Sequence, residues 1–144
     1  MQFAGADTSR TISQSFIYFL SDKPELQAKI LEEVDARIYN KSLIDFDALF
    51  NSEYFNMMTK ESLRRFNPFV TSSPRKLTQD ITLGNLKLKK GLNLGFPVLT
   101  MHLMEKFHKD ALSFDITRHT PENKLKQTKL TFMPFFAGKR ICIG

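Results

Sequence analysis

The first half of the chain has the hydrophobic periodicity of helices. Segment 1–21 lacks proline and spaces its apolar residues three or four apart, so it predicts a first helix. A second helix, 24–39, is expected after Ser21-Asp22-Lys23, because Pro24 suits the first helical position and a carboxylate follows it. The apolar positions that define the two helices are Ile12, Phe16, Phe19, Leu20, Leu26, Ile30, Val34 and Ile38.

A change of pattern follows a third predicted helix. That helix is expected over 51–66, after a polar connection near 40–42, and it should end at Asn67 because a residue before proline disfavours helical backbone. From 70 to 99 the apolar residues form short runs separated by turn residues, which predicts antiparallel hairpins. The runs are Ile81–Leu83, Leu86–Leu88 and Leu92–Leu94, and the turn signals are Gly84-Asn85 and Lys89-Lys90-Gly91.

The last third of the chain has little periodicity. A short helix is expected near 99–107, but 108–134 is polar, contains Pro121 and Pro134, and shows no sustained period. A long irregular segment of this kind is uncommon unless it is functional. The elements together predict one domain, mainly α with a small antiparallel β region, and no repeat or linker divides it.

Composition and charge narrow the class of protein. The content of 42% hydrophobic and 25% charged residues is ordinary for a globular domain, and the net charge is +6. Residues 71–144 have thirteen Lys and Arg against five Asp and Glu, whereas residues 1–70 have eight against ten. The basic half has no DNA-binding motif, so nucleic acid is not expected as a partner. No apolar run could span a membrane, and Asp7 and Arg10 interrupt the first helix, so neither an anchor nor a signal peptide is expected.

The single cysteine stands in a loop suited to presenting a thiolate. Cys142 lies in the segment 135–144, where Gly138 permits positive φ and Arg140 brings a cation near the sulfur. One thiol excludes an internal disulfide, and no histidine has zinc-ligand spacing with it. These histidines are His102, His108 and His119. For Cys142, the residue type alone would favour the alternative, an inert cysteine in the core.

The loop pattern F-x-x-G-x-R-x-C-x-G resembles the haem-binding signature of the cytochrome P-450 haem-thiolate monooxygenases. The resemblance implies that Cys142 is the axial ligand of the iron in haem b, iron protoporphyrin IX. A thiolate ligand pushes electron density toward the iron and favours O–O cleavage. The resemblance further implies that Phe135 packs near the porphyrin, that Gly138 allows its close approach, and that Arg140 pairs with a haem propionate.

A second motif, Ala4-Gly5-Ala6-Asp7-Thr8-Ser9, resembles the oxygen-activating motif of the same family. Glycine inside a helix costs about 1 kcal/mol relative to alanine, which indicates a need for space at Gly5. The resemblance implies that the flat cofactor approaches the helix there and that Asp7 and Thr8 deliver protons during oxygen activation. The Thr8 hydroxyl is expected to compete for backbone bonds and to widen the helix locally. Alone, Gly-x-Asp-Thr is a weak signal, and a merely structural helix is the alternative.

Glu61 and Arg64 lie three residues apart on one face of the third predicted helix. By themselves they indicate an exposed ion pair, which contributes roughly a few tenths of a kcal/mol. The resemblance instead implies the family's buried E-x-x-R pair, completed by Arg118 from the segment 114–118. This network would serve folding and haem retention and not catalysis, and loss of one member would leave buried charges unpaired.

Two segments depart from the patterns of the family. Ile116 stands where its P-E-R-F motif has proline, and His119 stands where an aromatic residue is expected. His102-Leu103 resembles a frequent His-Arg pair that has lost its arginine. Ordinary hydrogen-bonded histidines without a further role are therefore expected at positions 102 and 119.

Basic residues near the loop have expected partners. Arg75 resembles the arginine that reaches a haem propionate from the strand after the E-x-x-R helix, and an ordinary surface charge is the alternative for it and for Arg140. On the resemblance, an acidic electron-donor reductase docks on a basic face beside the loop, where complementary charge raises the encounter rate. That basic face is formed by Lys124, Lys126, Lys129 and Lys139.

The resemblance covers the whole chain but only the C-terminal part of the family's fold, so a partial sequence is expected. It implies a parent monooxygenase that inserts one oxygen atom of O₂ into an apolar organic substrate with reductase-supplied electrons. The alternative is a non-catalytic partial chain that cannot hold haem by itself. The implied location is intracellular, at the endoplasmic reticulum membrane, through an anchor upstream of this chain.

Overall fold

Over the residues that the structure describes, the fold is mainly helical with two small antiparallel sheets, so the predicted class is confirmed. A computed structural model describes residues 2–37, 47 and 50–143. The helices are α1 (Gln2–Ser21), α2 (Pro24–Arg37), α3 (Glu53–Arg65), α4 (Val98–His102) and α5 (Pro121–Lys126). The strands are β1 (Arg75–Lys76), β2 (Ile81–Leu83), β3 (Leu86–Leu88) and β4 (Asn93–Leu94), and the 3₁₀ turns are Ile116–His119 and Gly138–Arg140.

A small apolar core joins α1, α2 and α3. Leu26 and Ile30 of α2 are buried against Met58 of α3, as the apolar stripe of the second predicted helix requires. Phe19 of α1 stacks on Phe114 with ring centroids 4.1 Å apart, which ties the helices to the irregular segment. Other partly buried residues around this core are Phe16, Leu20, Val34, Tyr54, Phe55 and Ile116.

The observed helix bounds differ from the predicted ones at several ends. The third helix is Glu53–Arg65 and not 51–66, because the backbone at Phe66 leaves the helical region with φ −134° before Asn67-Pro68. The helix expected near 99–107 is only Val98–His102. The predicted ends at 38–39 and the connection near 40–42 lie outside the described residues.

Only one of the two predicted hairpins forms. The Gly84-Asn85 turn joins β2 to β3 in the register Ile81↔Leu88, and Gly84 takes the positive φ of 56° that favours glycine. The signal at Lys89-Lys90-Gly91 was wrong as a hairpin, because β4 pairs with β1 instead. Gly91 donates to the Leu77 carbonyl at 2.8 Å, which turns the chain back beside β1.

The segment 108–134 is less irregular than its composition indicates. The 3₁₀ turn begins after Asp115, whose carboxylate accepts the Thr117 N–H, and α5 begins after Thr120, whose hydroxyl accepts from Asn123. Pro121 occupies the first turn of α5, where a missing N–H costs nothing. Side-chain caps thus support short elements that have no apolar period to reveal them.

Glu33 of α2 caps the helix that carries Glu61 and Arg64. One of its carboxylate oxygens accepts the Glu53 N–H at 2.6 Å, and the other accepts the Tyr54 N–H at 2.9 Å. The N-cap residue Ser52 makes no side-chain capping bond, so this carboxylate from another helix satisfies the N-terminus of α3.

A Glu33→Gln variant is expected to lose about 1 kcal/mol of unfolding free energy, the usual cost of a lost cap and its charge. Urea denaturation followed by circular dichroism measures the loss. Glu32→Gln is the matched control, because Glu32 is an exposed neighbour on the same helix. Equal losses in the two variants would contradict the capping role.

Candidate functional site

The cysteine loop is closed by backbone hydrogen bonds. The Cys142 N–H donates to the Phe135 carbonyl at 3.0 Å, and the turn inside this closure has Gly138 with a φ of 81°. Phe136 also has a positive φ, 66°, which is strained for a residue with a side chain. The loop presents the Cys142 side chain at an exposed position.

An elongated apolar cavity of about 640 Å³ lies between this loop, α1 and α3. Thr59 and Leu63 of α3 line it, four residues apart, so the opposite face of the helix is left for Glu61 and Arg64. The remaining lining residues are Ala4, Gly5, Thr8, Ser9, Ile12, Ser13, Pro68, Phe69, Pro134, Phe135, Phe136, Cys142 and Ile143. The cavity therefore brings the motif of the first helix and the cysteine loop to one space.

Asp7 and Thr8 of α1, which the resemblance assigns to proton delivery, lie in different surroundings. Thr8 lines the cavity, and its hydroxyl donates to the Ala4 carbonyl at 2.8 Å. The predicted local widening of the helix is absent, because α1 is a regular helix from Gln2 to Ser21 and absorbs this bond. Asp7 does not line the cavity: its carboxylate pairs with Arg10 at 2.7 Å, with 63% of the Asp7 side chain exposed.

A second, basic cavity of about 840 Å³ adjoins the first at Cys142 and Ile143. Arg75 of β1 and Arg140 of the loop both line it, so the two predicted propionate partners share one space. The Arg75 guanidinium donates to the Ser73 carbonyl at 3.1 Å. Lys76 and Lys139 add further positive charge to the lining, which suits an anionic ligand group.

Glu61 and Arg64 form a fully buried ion pair. Arg64 donates Nε–H to one Glu61 oxygen at 2.8 Å and Nη2–H to the other at 2.7 Å, with no exposed surface on either side chain. Its remaining donors reach the carbonyls of His102, Ala111 and Ser113 at 2.7–2.9 Å. All five guanidinium donors are thereby used, as burial of this charge requires.

Arg118 lies beside this pair with its side chain 16% exposed. Its Nε is 3.5 Å from a Glu61 oxygen, a longer contact than that of Arg64. Its terminal nitrogens donate to the carbonyls of Lys109 and Asp110. The three residues of the predicted network are thus brought together, and Arg118 also holds the turn before the 3₁₀ segment.

The hydrogen bonds around Glu61 decide its charge. Burial would raise the pKa of this carboxyl, but bonds from Arg64, His119 and the Asp115 N–H outweigh it and hold the pKa below its ordinary value. Glu61 is therefore ionised at neutral pH and matches the positive charge of Arg64.

The histidines belong to this buried network, which sequence reasoning missed. His119 Nε2 lies 2.9 Å from a Glu61 oxygen, so a polar ring replaces the expected aromatic residue and joins the ion pair. His102 is also buried and accepts the Met133 N–H at 2.9 Å, while His108 contacts the Thr131 carbonyl at 3.3 Å. Isolated histidines carry no spacing signal, so only the tertiary contacts reveal them.

The residues present fit a haem-thiolate site. An added Cβ at Gly5 or Gly138 would meet no protein atom within 4 Å, so the space beside both glycines is open. Within the part of the chain that the structure describes, no three His, Cys, Asp or Glu side chains could hold a metal ion together.

The surface around the site has two further features. The four lysines of the predicted basic face are all exposed: Lys124 and Lys126 on α5, Lys129 in the segment that follows, and Lys139 in the cysteine loop. Among the described residues, no helix has the length and apolar character needed to cross a membrane.

Known proteins share this arrangement of elements. The chain is 32% identical to cytochrome P450 3A12 of Canis lupus familiaris and 30% identical to cytochrome P450 3A18 of Rattus norvegicus, over 142 residues in each case. Those alignments cover 99% of this chain and 28% of each relative, so the chain spans about a quarter of their length. The haem domain of a cytochrome P450DA mutant superposes with a TM-score of 0.83, over 95% of this chain and 31% of that one, at 24% identity.

The family profile described as Cytochrome P450 matches residues 1–144, the entire chain. The match runs through the cavity-lining helix, the buried ion pair and the cysteine loop. On sequence and fold together, the chain belongs to the cytochrome P450 family.

Proposed function

We propose that this chain forms the haem-thiolate part of a monooxygenase that inserts one oxygen atom of O₂ into an apolar organic substrate. The observation that carries the proposal is the apolar cavity that has Cys142 on one side and Gly5 and Thr8 on another. The family is one of monooxygenases, and this arrangement supplies both the thiolate and the helix that such chemistry needs.

Haem b, when bound, supplies the binding and activation of O₂ through its thiolate-ligated iron. In this proposal Cys142 would ligate the iron, and Arg75 and Arg140 would bind the propionates from the basic cavity. Phe135 would pack near the porphyrin, and Gly5 and Gly138 would leave room for the flat cofactor.

Asp7 and Thr8 suit a proton path between solvent and cavity. The Asp7 carboxylate is exposed to solvent beside Arg10, whereas the Thr8 hydroxyl lines the cavity one residue later. The Thr8 Oγ1 donates to the Ala4 carbonyl and keeps lone pairs that can accept a further hydrogen bond. In this proposal Asp7 lies at the solvent end of the path, and Thr8 passes its hydroxyl proton into the cavity as its oxygen takes up another.

We propose two partners for the whole protein, an electron donor and a substrate. The electron donor is an acidic reductase that docks on the basic face defined above, with encounter rates that fall as salt rises. The substrate we propose is an apolar small molecule, as the monooxygenase chemistry of the family implies. We further propose that the whole protein acts at the endoplasmic reticulum membrane through an anchor outside this chain.

Absorption of the reduced, carbon-monoxide-bound protein tests the proposal. We expect a chain reconstituted with haem b to show the red-shifted Soret band of thiolate ligation, and Cys142→Ala to lose it completely, because no other cysteine exists. Leu125→Ala is a suitable control, since Leu125 is 89% exposed and lines neither cavity. A band that persists in Cys142→Ala would refute the ligand assignment.

The alternative is that this polypeptide is a non-catalytic partial chain that cannot hold haem alone. Large apolar side chains favour it, because Phe3, Phe50 and Ile143 are 90%, 75% and 86% exposed and so lack packing partners within the described residues. Haem uptake by a longer protein that contains this chain, but not by the 144 residues alone, would support that alternative.

A further inference from the structure

The backbone that leads into the cysteine loop is held by side chains from distant parts of the chain. The Thr131 carbonyl contacts His108, the Met133 N–H donates to His102, and the Pro134 carbonyl accepts from Asn67 at 3.0 Å. No strand partner pairs with this stretch within the described part of the chain. Its path therefore depends on these side-chain bonds.

His102 has the central position among them. Its side chain is fully buried, its Nε2 accepts from Met133 at 2.9 Å, and its own carbonyl accepts from Arg64 at 2.8 Å. Its ring also packs near Phe132, with centroids 5.3 Å apart. One residue thus joins the buried ion pair to the segment before the loop.

Short backbone bonds continue this connection to the cysteine. The Met133 carbonyl accepts the Phe136 N–H at 3.0 Å, and the Phe135 carbonyl accepts the Cys142 N–H at the same distance. A shift of Met133 would therefore move Phe136, whose N–H donates to the Met133 carbonyl, and Phe135, whose carbonyl accepts the Cys142 N–H. The positive φ of Phe136 makes this turn costly to hold without external bonds.

We propose that His102 is a positioning residue for Cys142, and that it acts as a neutral imidazole whose Nε2 holds the Met133 N–H and thereby sets the entry of the loop. A backbone N–H can only donate, so Nε2 must carry no proton. The role of the loop in presenting Cys142 to haem rests on the proposed function, whereas the hydrogen bond between His102 and Met133 is independent of that function.

Burial is the main reason that the His102 ring stays neutral, and neighbouring basic groups add to its effect. Arg64 faces it from α3, His108 from the segment after α4, and His119 from the 3₁₀ turn. The Glu61 carboxylate contacts Arg64, His119 and Arg118, and no contact joins it to the His102 ring. Burial and these neighbours lower the pKa of His102 to about 4. Acid should therefore protonate His102 Nε2, which can then no longer accept the Met133 N–H.

Two substitutions separate the hydrogen bond from packing. His102→Gln keeps an acceptor that can reach the same N–H and does not titrate, whereas His102→Leu removes the acceptor and keeps an apolar side chain. Val98→Ala is the matched control, because Val98 is equally buried on the same short helix and makes no side-chain bond to Met133.

Hydrogen exchange of the Met133 amide in the haem-free chain is the first measurement. At neutral pH we expect exchange about ten-fold faster or more in His102→Leu, and near the unsubstituted rate in His102→Gln and Val98→Ala after correction for global stability. On acidification, exchange should accelerate in the unsubstituted chain and much less in His102→Gln. Equal exchange in the Leu and unsubstituted chains would overturn the proposal.

The carbon-monoxide spectrum is the second measurement. We expect His102→Leu to lose much of the thiolate band and His102→Gln to retain it across acid pH. A band retained fully in His102→Leu would overturn the positioning role while leaving the haem function intact. Absence of the band in the unsubstituted chain, despite the expected exchange pattern, would instead count against the proposed function and leave the His102–Met133 bond established.

Discussion

A Glu61→Gln variant is expected to lose about 3–5 kcal/mol of unfolding free energy, as buried ion pairs do when one partner is removed. Glutamine preserves size and one acceptor, but the fully buried Arg64 guanidinium then lacks its counterion. Contacts from His119 and Arg118 to the same carboxylate are weakened together with that pair. Small domains have only about 5–15 kcal/mol of stability, so the variant should be largely unfolded under mild denaturant. Urea denaturation followed by circular dichroism measures the loss.

Arg10→Gln is the matched control for this experiment. Arg10 pairs with Asp7 at the same spacing and the same 2.7 Å distance, but the two side chains are 66% and 63% exposed. Water and salt screen such a pair, so its loss should change stability by no more than about 1 kcal/mol. A Glu61→Gln variant as stable as this control would show that burial does not govern the contribution of the pair.

Acidification from pH 6.5 to about 4.5 is expected to lower stability by roughly 2–3 kcal/mol through His102 alone. Its pKa lies near 4 in the folded chain against 6.5 ordinarily, because the ring is buried and lies near the Arg64 guanidinium and two other histidines. The unfolded chain then binds the proton first, so stability is complete above pH 6.5 and is lost as pH falls toward 4. Burial also lowers the pKa of His108, which adds a loss of the same sign.

Denaturation at a series of pH values, compared with His102→Gln, isolates this contribution. The lowered pKa of Glu61 also makes acid destabilising, but its effect begins below the ordinary value of 4.5. The difference between the two chains should therefore develop between pH 6.5 and 4.5. Parallel stability curves over that range would contradict a neutral, buried His102.

Local pattern was sufficient for the elements with strong periodicity. The stripe that contains Leu26 and Ile30 predicted α2, and it packs on Met58 as expected. The Gly84-Asn85 turn predicted the β2–β3 hairpin, because positive φ is a local property of the residue. The turn at Gly91 was misread, since the partner of β4 is chosen by contacts with β1, far away in sequence.

In the candidate site, too, local sequence predicted some features and distant contacts decided others. Spacing placed Glu61 and Arg64 on one helix face but left open whether that face was exposed or buried. Their zero exposure comes from the carbonyls of His102, Ala111 and Ser113, which belong to segments with no apolar period. No feature of the local sequence could show that these segments fold over the pair.

The sequence by itself determined the family of this protein, because the cysteine loop, the helix with Gly5 and Thr8, and the Glu61–Arg64 spacing are local patterns of residue type. Tertiary structure alone decided that Thr8 lines the cavity while Asp7 faces Arg10, and that His119 joins the buried ion pair while His102 and His108 contact the backbone of Met133 and Thr131. Burial and hydrogen-bond pairing arise when distant segments meet, so they set the charge state of Glu61 and His102 in a way that neighbouring residues cannot.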